Sequence, residues 1–195
     1  MFFGPCFCAT RYAWESGLGL FLVWRNVVGE SSDASALNAG LSFREATAGD
    51  VPEMIEVVNA AFEEEAFFVD RPRTHAAQLE EQFRSGHFLL AHEGSQLMAS
   101  VYYEAHGERG YIGMLAVRPG HQRSGLGRAM TQAAERILRG LGCAVAELTV
   151  VSVRTELPPI YRKLGYREAG VEEPHEELRQ KLTMPVQLIR MEKRL

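Results

Sequence analysis

From Leu41 onward the chain alternates between strand and helix patterns. Leu41–Glu45 (LSFRE) alternates apolar and polar side chains, the period-two signature of a half-buried strand. Asp50, with Glu53 three residues on, reads as a helix cap with its capping-box partner. Val51, Met54, Ile55, Val58, Ala61 and Phe62 then form one apolar stripe at helical spacing. A second helix is expected over 74–84, with Ala76, Leu79 and Phe83 turned inward. Residues 88–92 and 97–103 read as strands joined by a turn at Glu93-Gly94-Ser95-Gln96. A further turn over 107–110 leads into the mostly apolar strand 111–117. The strongest helix signal follows. Leu126, Met130, Ala133, Ala134, Ile137, Leu138 and Leu141 share one face, while Arg128, Glu135, Arg136 and Arg139 mostly share the other, and Gly142 ends the helix. Residues 144–151 are almost continuously apolar, as in a strand covered on both faces. Pro158 and Pro159 suit a first helical turn, 161–164 a short helix stopped by Gly165, and 186–192 a last strand.

The resulting order, β-α-α-β-β-β-α-β-α-β, predicts an α/β (α+β) domain over 41–195. It is expected to be a single mixed sheet of about six to seven strands flanked by helices. The unit 111–151 is expected to be a parallel strand–helix–strand crossover. Residues 1–40 stand apart. Their only charges are Arg11, Glu15, Arg25, Glu30 and Asp33, and they end in the small-residue tract 31–40, which reads as a linker. Arg25 and Asn26 follow the apolar run 17–24 where a secretory signal would have a small-residue cleavage site. The expectation is a poorly ordered or peripheral extension.

Composition narrows the partners. The chain has 195 residues, 46% apolar and 24% charged, with a formal net charge of −4. A mildly acidic balance argues against a nucleic-acid binder held by phosphate contacts. Three cysteines, Cys6, Cys8 and Cys143, exclude a disulfide framework and favour a reducing compartment, hence the cytoplasm. Cys143 reads as a small buried hydrophobe. No run approaches the roughly 20 apolar residues of a membrane span.

The informative stretch is LAVRPGHQRSGLGRAM, residues 115–130. A strand stops at Val117, Pro119-Gly120 turns the chain, and Gln122-Arg123-Ser124-Gly125-Leu126-Gly127 opens directly into the amphipathic helix. Glycines permit positive φ and remove Cβ atoms, so backbone N–H groups can converge on one point. The helix adds unpaired N–H groups and the positive end of its dipole there. Arg123 and Arg128 add formal charge, and the whole suits a phosphate or diphosphate. A P-loop would close on Gly-Lys-Ser/Thr, where Arg128-Ala129 stands. A dinucleotide fold would start its glycine turn at once after the strand, whereas residues 118–124 intervene, and Glu147 sits inside a strand instead of at its end.

This stretch resembles the GNAT superfamily of N-acetyltransferases, in which Q/R-x-x-G-x-G/A follows the fourth strand and opens a helix. Gln122-Arg123-Ser124-Gly125-Leu126-Gly127 matches each defined position, and Val117-Arg118-Pro119 before it is also typical. A second block, Pro159-Ile160-Tyr161-Arg162-Lys163-Leu164-Gly165-Tyr166, is similar to the family's "lYeklGF" segment. The resemblance implies an acyl-CoA N-acyltransferase fold and an acetyl-CoA-dependent enzyme transferring acetyl to a primary amine of a small molecule or protein by direct attack. It implies that backbone groups of Leu115, Ala116 and Val117 pair with the pantetheine arm between strands 111–117 and 144–151 as they splay apart. It also implies that Gln122, Arg123, Ser124, Gly125, Leu126, Gly127 and Arg128 hold the diphosphate, and that Tyr161 is the general acid. The partners so implied are acetyl-CoA and an amine of undetermined identity. A homodimer is left open, and no nucleic acid, membrane or metal is expected.

The base is not carried over so directly. Many relatives place Glu on the fourth strand, but 111–117 holds neither carboxylate nor histidine. Glu104, acting through a water, and His106 are candidates on the preceding strand, and Glu147 on the following one. Arg154 and Leu157 stand where relatives often carry Asn and Ala, which points to a changed acceptor wall. Phe62, Phe67 and Phe68 are candidates for lining the acceptor side or for packing in the core. The rival function is a non-catalytic acyl-CoA-binding module that has lost its base.

Overall fold

The structure, a computed structural model, describes residues 40–195 apart from Arg71. The readings of residues 1–39, including Cys6, Cys8 and the apolar run 17–24, lie outside the described residues. The strands are β1 (Leu41–Glu45), β2 (His87–Glu93), β3 (Gln96–His106), β4 (Arg109–Val117), β5 (Val145–Val151), β6 (Arg167–Glu172) and β7 (Leu188–Arg194). The helices are α1 (Val51–Ala61), α2 (Ala76–Ser85), α3 (Leu126–Gly140), α4 (Leu157–Lys163) and α5 (Glu176–Lys181). The seven strands make one sheet in the order β1-β2-β3-β4-β5-β7-β6. Every neighbouring pair is antiparallel except β4 and β5, which are joined through α3 and run parallel as expected.

Strand alternation sends successive side chains to opposite faces, and each face is covered by helices. On one face Leu126, Met130, Ala133, Ala134, Ile137 and Leu138 of α3 pack over Leu89, Val101, Tyr103, Ile112 and Leu148. On the other, Met54, Val57, Val58 and Leu79 of α1 and α2 pack over Phe88, Leu90, Tyr102 and Ala116. Gly110 lets α3 approach β4, because a Cβ there would come within 2.6 Å of Leu138 Cδ1. Cys143 is buried and its thiol is pushed up by that burial, which agrees with a packing role.

Four local expectations change. The capping box sits one turn earlier than Asp50/Glu53. The amide and hydroxyl of Thr47 donate to Asp50 Oδ2 at 2.8 and 2.9 Å, and a short 3-10 turn (Ala48–Asp50) precedes α1. Arg44 of β1 holds the same carboxylate at 2.5 Å, and Glu53 is left to accept the Leu97 amide at 2.9 Å. Next, α2 begins after His75, whose Nδ1 accepts from the Gln78 amide, because Thr74 is committed to Asn59 by hydrogen bonds in both directions. Glu135 is also buried instead of solvated, since Lys193 reaches it at 2.6 Å. Finally, β6 and α5 were not read from the pattern. The first is an almost wholly exposed edge strand, and the second has six residues with Leu178 its single apolar one.

Arg44 and Thr47 hold the Asp50 carboxyl well below the usual carboxylate range, so this contribution to stability is present above about pH 4 and is lost as pH falls further. Asp50→Asn is expected to cost about 1 kcal/mol in urea melts at pH 7, with the deficit shrinking below pH 4. A deficit independent of pH would contradict this assignment.

Candidate acyl-CoA site

The site begins where two parallel strands stop pairing. β4 and β5 are in register only through Arg109↔Val145, Gly110↔Ala146 and Tyr111↔Glu147. Beyond that point β5 stays paired to β7 along its length, and β4 stays with β3. The β3–β4 register shifts between Tyr102↔Gly113 and Ser100↔Ala116, so two residues of β4 face Val101. Met114, in this bulge, has φ of +44°, a conformation that side-chain-bearing residues rarely adopt. Bulges bend a strand and re-aim its edge.

Alternation then decides which backbone groups face the opening. The Arg118 amide donates to Met98 O at 2.8 Å, so residue 118, and with it Ala116, turns its backbone toward β3. Leu115 and Val117 turn theirs toward the gap between β4 and β5. Of the three backbone positions expected to meet a pantetheine arm, these two face the gap, while Ala116 is engaged with β3.

The loop after β4 carries three left-handed residues: Gly120 (φ +86°), Arg123 (φ +60°) and Gly125 (φ +90°). Helical bonding in α3 starts with the Ala129 amide to Gly125 O at 3.0 Å. Among the described residues, the amides of Gln122, Arg123, Gly125, Gly127 and Arg128 donate to no protein acceptor. The Leu126 amide has only a long 3.4 Å contact with Ser124 Oγ. Ser124 itself is a loop brace, donating from Oγ to His121 O at 2.6 Å. Gln122 Nε2 lies 3.5 Å from Val117 O, tying the loop to the open edge of β4. Arg123 and Arg128 have no ion pair among the described residues. A Cβ on Gly127 would meet Leu115 and Val117 at an ordinary 3.7 Å, so internal packing does not require the glycine. A row of unpaired donors at the positive end of a 15-residue helix fits a diphosphate.

Across the gap, α4 starts with its prolines in the first turn and presents Tyr161. The Tyr161 ring packs on the α3-side core and lies edge-on to Tyr166 at 5.8 Å between centroids. Burial, then the neighbouring Tyr111 hydroxyl, pushes the Tyr161 phenol up to about 12. Tyr111 is the residue that sequence reasoning missed. It is the last residue of β4 paired to β5, its hydroxyl meets Thr149 of β5, and its ring covers Gly113, where a Cβ would come within 2.7 Å. The available signal was the Tyr-x-Gly spacing on a strand about to bulge.

Glu104 stands directly across β3–β4 from Tyr111. Tyr102 Oη donates to Glu104 Oε2 at 2.7 Å, His106 Nε2 lies 2.8 Å from Oε1, and Tyr102 Oη also meets Ser85 Oγ at 3.2 Å. Glu104 is mostly covered whereas His106 is exposed. Glu147 is not equivalent to it, because Arg109 holds its carboxylate at the closed end of the β4–β5 pair and also reaches Glu192 at 3.0 Å. Arg154 bridges from the β5–α4 loop to the turn after α1, pairing with Glu64 at 3.3 Å, Glu65 at 3.4 Å and Glu156. The three phenylalanines separate. Phe62 joins the cluster of Tyr111 and Met114, Phe68 is buried with Val69 and Val186, and Phe67 is exposed. Among the described residues no group of three His, Cys, Asp or Glu is placed to hold a metal, and no helix is long and apolar enough to cross a membrane.

The two loop glycines should behave differently. Gly125→Ala forces a Cβ into left-handed backbone and should cost about 1 to 2 kcal/mol while weakening CoA binding at least tenfold. Gly127→Ala should bind CoA normally and melt no lower than the parent, because alanine is the better helix former. Thermal melts and calorimetry on both variants check this, and equal losses would contradict the loop geometry.

The comparisons with known proteins agree with this geometry. The Acetyltransferase (GNAT) family profile matches residues 53–166, which spans β3, β4, the glycine loop, α3, β5 and α4. No curated protein matches the chain in sequence. Among solved structures, the ribosomal-protein-S18-alanine N-acetyltransferase from Escherichia coli is 18% identical, covering 79% of this chain and 93% of its own, with a TM-score of 0.64. Ard1 from Thermoplasma volcanium is 14% identical over 80% of this chain and 99% of its own, with a TM-score of 0.65. A putative acetyltransferase from Salmonella typhimurium, solved with acetyl-CoA, is 16% identical over 80% of this chain and 94% of its own, with a TM-score of 0.61. At these identities the structural likeness speaks for the fold, and the profile match over more than half the chain speaks for the family: this protein belongs to the GNAT family of acetyltransferases, which use acetyl-CoA as acyl donor.

Proposed function

We propose that this protein acetylates a primary amine by direct attack on acetyl-CoA in a ternary complex. The observation that carries this reading is the parting of β4 and β5 beside a row of unpaired loop amides. The pantetheine arm fits the parting as an added strand, hydrogen-bonded to Leu115 and Val117, with the diphosphate on the amides of Gln122, Arg123, Ser124, Gly125, Leu126, Gly127 and Arg128. Such an arrangement brings the thioester to the closed end of the gap, near Tyr111 and Tyr161. The Leu115 N–H serves as the donor to the thioester oxygen as negative charge develops there.

The protons remain to be placed. An ammonium with a pKa near 10 must lose its proton before the nitrogen attacks. Glu104, braced by Tyr102 and facing Tyr111 across the strands, takes it through a water. Attack forms the C–N bond, the C–S bond breaks with its electron pair leaving on the CoA sulfur, and the attacking nitrogen releases its second proton to solvent as the amide forms. Tyr161 faces that sulfur as donor. A phenol near 12 cannot readily hand its proton to a thiolate whose conjugate acid is near 8.5, the difference being on the order of 5 kcal/mol. Tyr161 therefore stabilises the thiolate chiefly by hydrogen bonding, and the proton arrives as the product leaves. The similarity to the ribosomal-protein-S18-alanine N-acetyltransferase supports an amine acceptor.

A non-catalytic acyl-CoA-binding module is the second reading, and the absence of a carboxylate from β4 favours it. A thiol-release assay over an amine panel, run beside CoA calorimetry, separates the two, since binding without turnover on any amine would select the module. Within the catalytic reading, Tyr161→Phe should lower kcat at least tenfold while leaving CoA affinity within about threefold. Glu104→Gln should lower kcat/KM on the order of a hundredfold near pH 7. Parallel losses in CoA binding would contradict both roles.

A further inference from the structure

Arg73 lies in the segment between α1 and α2. Its backbone position is secured by its neighbour. The Thr74 amide donates to Asn59 Oδ1 at 3.0 Å and Asn59 Nδ2 donates to Thr74 O at 3.1 Å. The guanidinium lies over the Phe62 ring, 4.9 Å from its centroid, and Phe62 packs in one cluster with Tyr111 and Met114. Stacking on an aromatic face restricts the guanidinium and leaves its forked edge for a partner. Among the described residues no acceptor lies within hydrogen-bond distance of Nε, which is buried. The nearest carboxylate, Glu65, is 4.0 Å away and is shared with Arg154 at 3.4 Å. Arg73 and Glu104 are both close enough to the Tyr111 hydroxyl to act on it, with opposite sign, and Glu104 stands across the strand pair from Tyr111.

An amine alone would have no use for the cationic side. From this juxtaposition we infer that the acceptor is an amino acid or a similarly zwitterionic small molecule, its amine on the Glu104 side of Tyr111 and its carboxylate on the Arg73 guanidinium. A carboxylate matches the guanidinium fork and satisfies the Nε donor. A neutral amide at the same place offers one acceptor oxygen and no charge, and a simple alkylamine offers neither. Arg73 thus sets specificity among acceptors, while Glu104 and Tyr161 act on any amine that reaches the thioester. This inference rests on the acetyl-transfer reading for its placement of the amine, and its test separates the two.

The experiment compares amino acids with their carboxamides and their decarboxylated amines as acceptors, for the parent protein and for Arg73→Gln and Arg73→Lys. The parent should favour the carboxylates at least tenfold in kcat/KM. Arg73→Gln should raise KM for the carboxylates tenfold or more, leave the amides within about twofold, and leave the KM for acetyl-CoA unchanged, with Arg73→Lys intermediate. In parallel, N-acetyl amino acids and their carboxamides are titrated into the CoA-bound protein, which reads carboxylate recognition without turnover. Carboxylate-selective binding that Arg73→Gln abolishes, in the absence of turnover, would support the carboxylate site and overturn the transfer reading. Turnover of amines with no preference for the carboxylate, or equal losses on both acceptor classes in Arg73→Gln, would overturn the inference and leave acetyl transfer standing.

Discussion

Backbone pairing between β4 and β5 lasts for three positions and then stops, and the rest of the site depends on that interruption. Exposed strand edges carry unpaired N–H and C=O groups that must find partners. Here the edge is held open from both sides. β7 occupies the far side of β5 along its whole length, and β3 holds β4 through a bulge that Met114 adopts at positive φ. The sheet core on either face is built by α3 and by α1 with α2, so the opening can persist in a well-packed domain.

The opening ends at a second set of unsatisfied groups. α3 begins immediately after the glycine loop, and its first-turn amides join those of Gln122, Arg123 and Gly125. An open strand edge therefore leads directly to a helix end rich in unpaired amides. One ligand with an amide-rich arm and a diphosphate satisfies both. Tyr161 and Tyr111 stand at the other end of the gap, in surroundings dry enough to raise both phenols. Dry surroundings strengthen each hydrogen bond made to a developing charge. They also make a phenol a poor proton donor, which is why the role proposed for Tyr161 is hydrogen bonding and not proton transfer.

Much of this was legible in the residues. β1 and the start of α3 fall where the periodicity put them, because each has a one-sided apolar pattern and a clear stop. Gln122-Arg123-Ser124-Gly125-Leu126-Gly127 marked the loop because a left-handed turn into a helix, as at Gly125, favours glycine. What escaped depends on contacts between distant residues. Glu135 reads as solvated until Lys193 is placed beside it, and the Thr47–Asp50 box is selected by Arg44 on β1. β6 has no buried face to leave a pattern. At the site, Glu104 and Glu147 were indistinguishable in sequence. The sheet separates them by giving Arg109 to one and Tyr102 to the other. Tyr111 looked like an ordinary strand residue, and its importance arises from its place at the fork.

The claim that the loop amides between β4 and α3 grip the donor's diphosphate is tested most directly by calorimetry with CoA and with pantetheine, which keeps the arm and lacks the diphosphate. CoA should bind in the micromolar range and pantetheine at least a hundredfold more weakly. Equal affinities for the two would show that the arm alone carries binding and would contradict the account.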